Sequence, residues 1–136
     1  AATLIIESYE SAVKRGAPIL GEIIGYGFSS NGDHISTPNV DGPARAMKMA
    51  LEQANIQASE IDYVNAHATS TPVGDANEAL EHSFIAPNIN LETPDEAASK
   101  LNLVNKTLNR KIDVFLSNSF GFGGTNSALI IKKCTH

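Results

Sequence analysis

The stretch DVFLSNSFGFGGTNSALIIKK, residues 113–133, decides the fold of this chain. Residues 113–120 and 126–133 are rich in branched and aromatic side chains, which predicts two strands joined through GFGG. Glycines in such a turn adopt backbone conformations closed to other residues, and they can aim successive N–H groups at an anion. A plain tight hairpin would not need Phe120 and Phe122 here, whereas an aromatic ring flanked by glycines can swing as a gate over an apolar tunnel.

The segments before this stretch alternate between strand and helix patterns. The predicted strands are residues 3–7, 19–28 and 61–67, with 101–106 as a further candidate. The first predicted helix covers residues 8–16 and ends at Gly16. The second begins at Pro43 and has an apolar stripe formed by Ala44, Met47, Leu51 and Ala54. The third covers residues 74–84, with Asp75 at the N-cap and Glu78 at N3. This alternation fits a layered α/β fold.

Glycines interrupt the predicted strand at 19–28, at positions 21, 25 and 27. A glycine weakens a strand, because it has no side chain to pack and loses more entropy on folding. We therefore expect another backbone to pass close to this strand.

Size, composition and charge exclude several classes of protein. With 136 residues, 42% of them hydrophobic, the chain is long enough for a single domain, residues 1–136, with its own core. A net charge of −5 without a basic stripe argues against nucleic acid as a partner. No apolar run is long enough to cross a bilayer and no signal peptide is found, so we expect a cytoplasmic protein without a membrane partner.

Cysteine and histidine usage predicts neither a disulfide nor a metal site. Cys134 is the single cysteine, so we expect it to be a packing or surface residue. The four histidines and one cysteine lack the spacing of zinc ligands. Because the first residue is not Met and residues 3–7 would begin mid-core, the sequence has the features of a piece of a longer chain.

VNAHATSTPVGD, residues 64–75, places His67 at the end of a predicted strand. Ligands collect at the C-terminal ends of strands in α/β sheets, and histidine can hold a proton or donate a hydrogen bond near neutral pH. A core histidine satisfied by its neighbours explains this placement equally well. The hydroxyls of Thr69, Ser70 and Thr71 can bond either to the local backbone or to a polar substrate arm.

Three motifs resemble those of the β-ketoacyl-acyl-carrier-protein synthases, especially the type I condensing enzymes of bacterial fatty-acid synthesis. Residues 64–75 resemble the first histidine motif of that family, and residues 117–131 resemble its C-terminal glycine-rich motif. HSFIAPNINLETPDEAA, residues 82–98, resembles the connection before the last strands. The resemblance, which runs from Thr3 to about Lys133, implies the C-terminal half of a thiolase-like α/β fold, a mixed sheet layered with helices.

The resemblance also implies a reaction. Enzymes of this family condense malonyl-acyl carrier protein with an acyl thioester: a cysteine thiolate takes the acyl chain, the malonyl group loses carbon dioxide, and the carbanion attacks the acyl thioester. The substrate is carried on the phosphopantetheine arm of acyl carrier protein, and no bound cofactor is implied. The implied partners are acyl carrier protein, the N-terminal half of the synthase and a second copy in a homodimer.

Matched residue by residue, the resemblance assigns His67 to the reaction itself. His67 corresponds to the histidine that donates a hydrogen bond to the malonyl thioester oxygen as the enolate forms. Thr69 and Thr71 correspond to the threonines that bind the phosphopantetheine arm. Glu78 corresponds to a glutamate that pairs with the active-site lysine of the family, although capping of the predicted helix explains it equally well.

The glycine-rich cluster would form the acyl side of the site. Phe122 corresponds to the residue whose backbone N–H is one donor of the acyl oxyanion hole and whose ring gates the acyl pocket. Phe120 belongs to the same substrate-binding set. Gly123 and Gly124 would give this loop its freedom.

The chain departs from the family pattern in three places. Between Glu78 and Ala79 it lacks the long segment that carries the active-site lysine and the second histidine of the family. Ala68 stands where the family usually has glycine. The nucleophilic cysteine belongs to the N-terminal half and Cys134 does not match it, so we predict that the isolated chain is inactive.

Two other functions stay open at this point. One is a non-catalytic acyl- or pantetheine-binding scaffold, or a truncated partner subunit of a condensing enzyme. The other is a hydrolase in which His67 serves Ser70, although Ser70 lacks the glycine-flanked elbow of such nucleophiles.

Overall fold

The computed structural model describes residues 5–32, 41–65, 67, 84–85, 104, 106–121 and 123–134. The helices are α1 (Tyr9–Lys14) and α2 (Asp41–Ala54), with a short 3-10 helix at Ala58–Glu60. The strands are β1 (Gly21–Ser30), β2 (Tyr63–Asn65), β3 (Phe84–Ile85), β4 (Leu108–Asn109), β5 (Val114–Gly121) and β6 (Thr125–Lys133). The strands predicted at 19–28, 61–67, 113–120 and 126–133 are therefore confirmed, with ends shifted by one or two residues.

Four of the strands form one mixed sheet in the order β1-β6-β5-β2, while β3 and β4 pair separately. β6 runs antiparallel to both of its neighbours, β1 and β5. β2 pairs parallel to β5, and the pairing ends where Asn65 lies opposite Ser117. The C-terminal ends of β2 and β5 therefore lie at the same end of the sheet, where ligand sites form in α/β folds.

Helix α2 lies across one face of this sheet. Ala46 and Ala50 of the helix are fully buried, at 0% exposed, against Ala128 and Ile130 of β6 and Leu116 of β5. The core cluster is extended by partly buried residues of the helix, as predicted: Met47, Leu51 and Ala54.

Gly25 and Gly27 of β1 make this close packing possible. A Cβ atom on Gly27 would overlap the carbonyl oxygen of Ala46, and one on Gly25 would overlap that of Ala50. The expectation that another backbone passes close to this strand is thus confirmed at these two positions, and the backbone is that of α2.

The helix differs from its prediction in two respects. It begins at Asp41, two residues before Pro43, because N–H groups in the first turn have no intrahelical partner and proline is tolerated there. The prediction that Ala44 lies on the buried stripe is wrong, since Ala44 is exposed. Positions 46 and 50 are one turn apart and face β1, whereas position 44 lies about 200° around the helix from position 46.

Helix α1 is capped at both ends. At its start the Ser8 hydroxyl accepts the backbone N–H of Ser11. At its end Gly16 has a φ of +67°, and the next N–H, of Ala17, donates to the carbonyl of Ala12 at 2.9 Å. The prediction that Gly16 ends this helix is confirmed.

The strand predicted at residues 3–7 is wrong over its described part. Residues 5–7 form no strand, and Ile5 is 94% exposed. A strand needs a neighbour for its N–H and C=O groups, and within the described chain residues 5–7 have none.

Asp62 fixes the parallel pairing of β2 and β5. Its Oδ2 accepts the backbone N–H groups of Asp113 and Val114, each at 3.0 Å, and its own N–H donates to the Val114 carbonyl at 2.9 Å. The N–H groups of Asp113 and Val114 stabilise the charged carboxylate and hold the pKa of Asp62 below its ordinary value.

Two predictions fall largely outside the described residues. Of the helix predicted at 74–84 only Phe84 is described, and it lies in β3. Of residues 101–106 the structure describes Val104 and Lys106, and neither lies in a strand. Among the described residues, no helix is long and apolar enough to cross a membrane.

Candidate active site

His67 lies just past the C-terminal end of β2, two residues after the last described pair of β2 with β5. Its backbone N–H donates a 2.5 Å hydrogen bond to Oδ1 of Asn118, a side chain of β5. Its imidazole meets the ring of Phe120 in a T-shaped contact, with centroids 5.5 Å apart and planes at 74°. The structure thus brings together two residues that the sequence analysis assigns to one site.

Partial burial of this pair suits a chemical role for the histidine. Both His67 and Phe120 are half-buried. The imidazole is therefore partly shielded from bulk water and still reachable by a substrate. An imidazole in this setting can donate a hydrogen bond to an oxygen that becomes negative during a reaction.

The turn between β5 and β6 contains two glycines in the left-handed region. Gly123 has a φ of +87° and Gly124 a φ of +78°, values that favour glycine over every other residue. A Cβ on Gly124 would also overlap the carbonyl oxygen of Asn31, so glycine is needed there for space as well. The unusual backbone predicted for this turn is confirmed at both positions.

Asn126 holds the turn from inside the sheet. Its side chain is buried, and Nδ2 donates to the Gly124 carbonyl at 3.0 Å and to Oδ1 of Asn31 at 2.8 Å. The backbone N–H of Asn31 donates to the same Gly124 carbonyl at 3.0 Å. Two hydrogen bonds to one carbonyl therefore fix the turn relative to the end of β1.

The start of α2 is tied to the same corner of the sheet. The Ser29 hydroxyl donates to the Gly42 carbonyl at 2.5 Å, and Arg45 Nη2 donates to the Ser30 carbonyl at 3.1 Å. A Cβ on Gly42 would press on Nδ2 of Asn126. The helix start, the end of β1 and the glycine turn are thus held in one arrangement.

Sequence reasoning missed Asn118 and Asn126. The signal that could have found them is an amide at a strand position whose neighbours on the same face are apolar. Asn118, for example, stands between Leu116 and Phe120 in the alternation of β5. Buried amides are almost always hydrogen-bonded, so an amide at such a position indicates a network.

Several predicted site residues lie outside the described residues: Thr69, Ser70, Thr71, Glu78 and Phe122. Their roles stay predictions. Cys134 is a half-buried free thiol. In the part of the chain that the structure describes, no group of three or more His, Cys, Asp or Glu side chains could hold a metal ion.

A separate hollow of about 550 Å³ lies between α1 and the first residues of β1. It is lined by residues between positions 5 and 23, including the ion pair of Glu7 with Arg15, and by no residue of the candidate site. The largely exposed apolar side chains of this segment form what we call the N-terminal apolar surface: Ile5, Ile6, Tyr9, Val13 and Leu20.

Comparison with known proteins identifies relatives that match nearly the whole chain. Residues 20–84 match the family described as beta-ketoacyl synthase, C-terminal domain. The 3-oxoacyl-(acyl-carrier-protein) synthase 1 of Escherichia coli K12 is 38% identical over 169 alignment positions, which take in 96% of this chain and 41% of that protein. Because 96% of 136 residues is about 131, about 38 of these positions have no counterpart in the chain.

Solved structures give the same result. A beta-ketoacyl synthase from Burkholderia phymatum STM815 superposes with a TM-score of 0.85 at 32% identity, over 95% of this chain and 41% of that one. The ishigamide ketosynthase/chain length factor superposes with a TM-score of 0.84 at 31% identity, over 95% and 42%. The chain therefore spans less than half the length of these proteins and shares its fold with one part of each.

Proposed function

We propose that the chain acts as the C-terminal region of a 3-oxoacyl-(acyl-carrier-protein) synthase in fatty-acid synthesis. The chain belongs to the β-ketoacyl synthase family and has the thiolase-like fold of the C-terminal region of that family. Members of this family are acyltransferases. The proposed reaction is the decarboxylative condensation of malonyl-acyl carrier protein with an acyl thioester. The observation that carries the proposal is the contact of His67 with Phe120 next to the glycine turn.

In this reaction His67 acts on the malonyl thioester. The malonyl carboxylate leaves as carbon dioxide, and the electrons of the broken C–C bond form an enolate with its charge on the thioester oxygen. His67 donates a hydrogen bond to that oxygen, and a preorganised donor of this kind stabilises the transition state by about 3 kcal/mol. The enolate carbon then attacks an acyl thioester held on cysteine, and the cysteine thiolate leaves.

The glycine turn and the hydroxyls after His67 bind the two substrates in this proposal. The backbone N–H of Phe122 serves as one donor of the acyl oxyanion hole, and its ring gates the acyl pocket. The fixed backbone of Gly123 and Gly124, just after Phe122, supports this role, because a donor must be held in place before charge develops. Thr69 and Thr71 bind the phosphopantetheine arm of acyl carrier protein, the carrier that the E. coli relative is named for.

The remaining catalytic groups come from outside this sequence in the proposal. Cys134 lies after β6 and does not match the nucleophilic cysteine of the family. The number of unmatched alignment positions, about 38, supports a missing segment. We place it between Glu78 and Ala79, where the family carries the lysine paired with Glu78 and the second histidine. The isolated chain, residues 1–136, is then one domain of the synthase and cannot condense acyl groups alone.

The N-terminal apolar surface supports the N-terminal half of the synthase as a partner. Ile6 is 73% and Leu20 is 87% exposed, and both line the same hollow. Exposed apolar side chains that lie together mark interaction sites. Covering such side chains contributes about 25 cal/mol per Å² of apolar area removed from water.

A fusion protein tests the proposal. The N-terminal portion of the E. coli synthase that this chain does not match is joined to the chain, with or without the relative's segment inserted between Glu78 and Ala79. Formation of 3-oxoacyl product from acyl- and malonyl-acyl carrier protein is then measured. We expect product only from the fusion with the segment, and about 100-fold slower turnover after His67→Ala.

The matched control is Glu52→Gln, on the exposed side of α2, which should leave turnover unchanged. Condensation by the isolated 136-residue chain would contradict the need for a partner. Full turnover by the His67→Ala fusion would contradict the role of the histidine.

A non-catalytic partner subunit is the second candidate. It is favoured by the 38 unmatched positions and by the likeness to a protein described as a ketosynthase/chain length factor. In that case the chain binds decanoyl-pantetheine, measured by isothermal titration calorimetry, while neither fusion forms product. Product from the fusion with the segment would exclude this candidate.

A further inference from the structure

Asn118 occupies a position where the pattern of β5 calls for an apolar residue. It alternates with Leu116 and Phe120 on the face of the sheet that α2 covers, and it lies opposite the fully buried Ala128. A polar side chain at such a position costs free energy unless its donors and acceptors are used. The contacts of this amide therefore explain why it is there.

The two ends of the Asn118 amide meet different partners. Oδ1 accepts the backbone N–H of His67 at 2.5 Å, and Nδ2 lies 3.6 Å from the sulfur of Met47 in α2. Sulfur is a weak acceptor, so the stronger hydrogen bond is the one to His67. Rotating the amide by 180° would place an NH₂ group against the His67 N–H, and this fixes its orientation.

This hydrogen bond continues the pairing of β2 with β5 beyond its last backbone pair. Among the described residues that pair is Asn65 with Ser117, and the next described residue after Asn65 is His67. The Asn118 side chain supplies the next acceptor, at His67. Because alternate residues of a strand share a face, the same strand then presents Phe120, two positions on, to the imidazole.

We infer that Asn118 is a positioning residue, which holds the backbone of His67 so that its imidazole faces Phe120 and the substrate. The inference rests on the proposed function of His67. It assigns to a β5 side chain the hydrogen bond that holds the His67 N–H, the first described N–H group after β2.

Amide hydrogen exchange in the 136-residue chain, followed by NMR, tests the inference without requiring turnover. Asn118→Leu keeps the size of the side chain and removes the acceptor. We expect the His67 amide to exchange about tenfold faster in this variant, while amides of β6 change with global stability only. Asn118→Asp, which keeps an acceptor oxygen, should keep the His67 amide protected.

Leu116→Ala is the matched control, two residues earlier on the same face of β5. This variant should speed amide exchange throughout the sheet in proportion to its loss of stability. Asn118→Leu would have the same uniform effect if the role of Asn118 were purely structural. An unprotected His67 amide in the unchanged chain, or equal acceleration at His67 and in β6 after Asn118→Leu, overturns the inference.

The fusion protein that carries the inserted segment gives the second readout. There Asn118→Leu should lower kcat about tenfold and leave the KM for malonyl-acyl carrier protein within twofold, because a displaced histidine affects the transition state more than substrate binding. Unchanged kcat after Asn118→Leu, in a fusion whose turnover falls after His67→Ala, overturns the positioning role of Asn118 alone. Full turnover after His67→Ala overturns the proposed function instead, so the two failures are distinguishable.

Discussion

The sheet face beneath α2 and the N-terminal apolar surface differ in how far their apolar side chains are buried. Beneath α2, small side chains such as Ala46 and Ala50 are completely buried, whereas Ile5 is 94% and Leu20 is 87% exposed. Isoleucine and leucine are the more apolar residues, so hydrophobicity alone does not decide which region is buried. The decisive difference is a complementary surface, which Gly25 and Gly27 create for α2 and which the described chain does not provide for the N-terminal apolar surface.

The largest expected effect comes from breaking the packed region. Gly27→Ala places a Cβ against the Ala46 carbonyl oxygen, so the backbone of α2 has to move. We expect the free energy of unfolding, measured with urea, to fall by about 3 kcal/mol. Gly32→Ala is the control, because no atom of the described residues lies within 4 Å of a Cβ at that position. It should change stability by less than about 0.5 kcal/mol. If both variants lost the same free energy of unfolding, the contact of Gly27 with α2 would not explain the loss.

An intermediate effect is expected beside the packed region, at the pairing of β2 with β5. Asp62→Ala leaves the N–H groups of Asp113 and Val114 without their acceptor, which should cost about 1–3 kcal/mol of unfolding free energy at pH 7. Glu52→Ala, which removes only an exposed pair with Lys48, should cost no more than about 0.5 kcal/mol.

The effect of Asp62 also has a defined dependence on pH. The pKa of Asp62 is lower in the folded chain than its ordinary value, so the folded state binds the proton less readily than the unfolded state. The stabilisation is therefore complete above the unfolded-state pKa of about 3.9 and is lost as the pH falls through the folded-state pKa. A stability gap between the unchanged chain and Asp62→Ala that stayed constant from pH 7 into this acid range would contradict the assignment.

The smallest effect on stability is expected at the N-terminal apolar surface. Ile5→Asp should change the free energy of unfolding by no more than about 0.5 kcal/mol, because the side chain is already in water. The same change should weaken binding of the N-terminal portion of the E. coli synthase about tenfold, measured by calorimetry. Met49→Asp, on the exposed side of α2, should leave that binding unchanged. A large loss of stability after Ile5→Asp would show that the chain itself covers this surface.

Local patterns predicted most of the sheet and part of the helix packing. The glycines of β1 indicated a close backbone, and Gly25 and Gly27 meet one. The helix stripe was predicted only in part, since Ala44 is exposed. Alanine is too weakly hydrophobic to show from the sequence which face of a helix is buried. The face of α2 that packs against Gly25 and Gly27 is therefore known only from the structure, in which the strand and the helix are in contact.

The site was predicted through its unusual residues and missed in its supporting ones. His67 and Phe120 stand out at a strand end and before a glycine turn, and they are in contact. Asn118 and Asn126 look like ordinary polar residues in a single sequence, because their hydrogen-bond partners are distant along the chain. Asn118 bonds to His67, 51 positions away, and Asn126 bonds to Asn31, 95 positions away. The strand prediction at residues 5–7 was wrong for a related reason, because the sequence pattern of a strand does not show whether a neighbouring strand is present to pair with it.

The pairing of β1 with β6 has a consequence for the synthesis of the chain. Ser30 pairs with Thr125 and Gly21 pairs with Lys133, so the first strand of the sheet meets its partner only across about 100 positions. Pairing between such distant segments is slow to form. During synthesis β1 stays without this partner until residues 125–133 have been made. An apolar strand that waits is open to pairing with other nascent chains. We therefore expect the time between translation of β1 and translation of β6 to affect how much of the product aggregates.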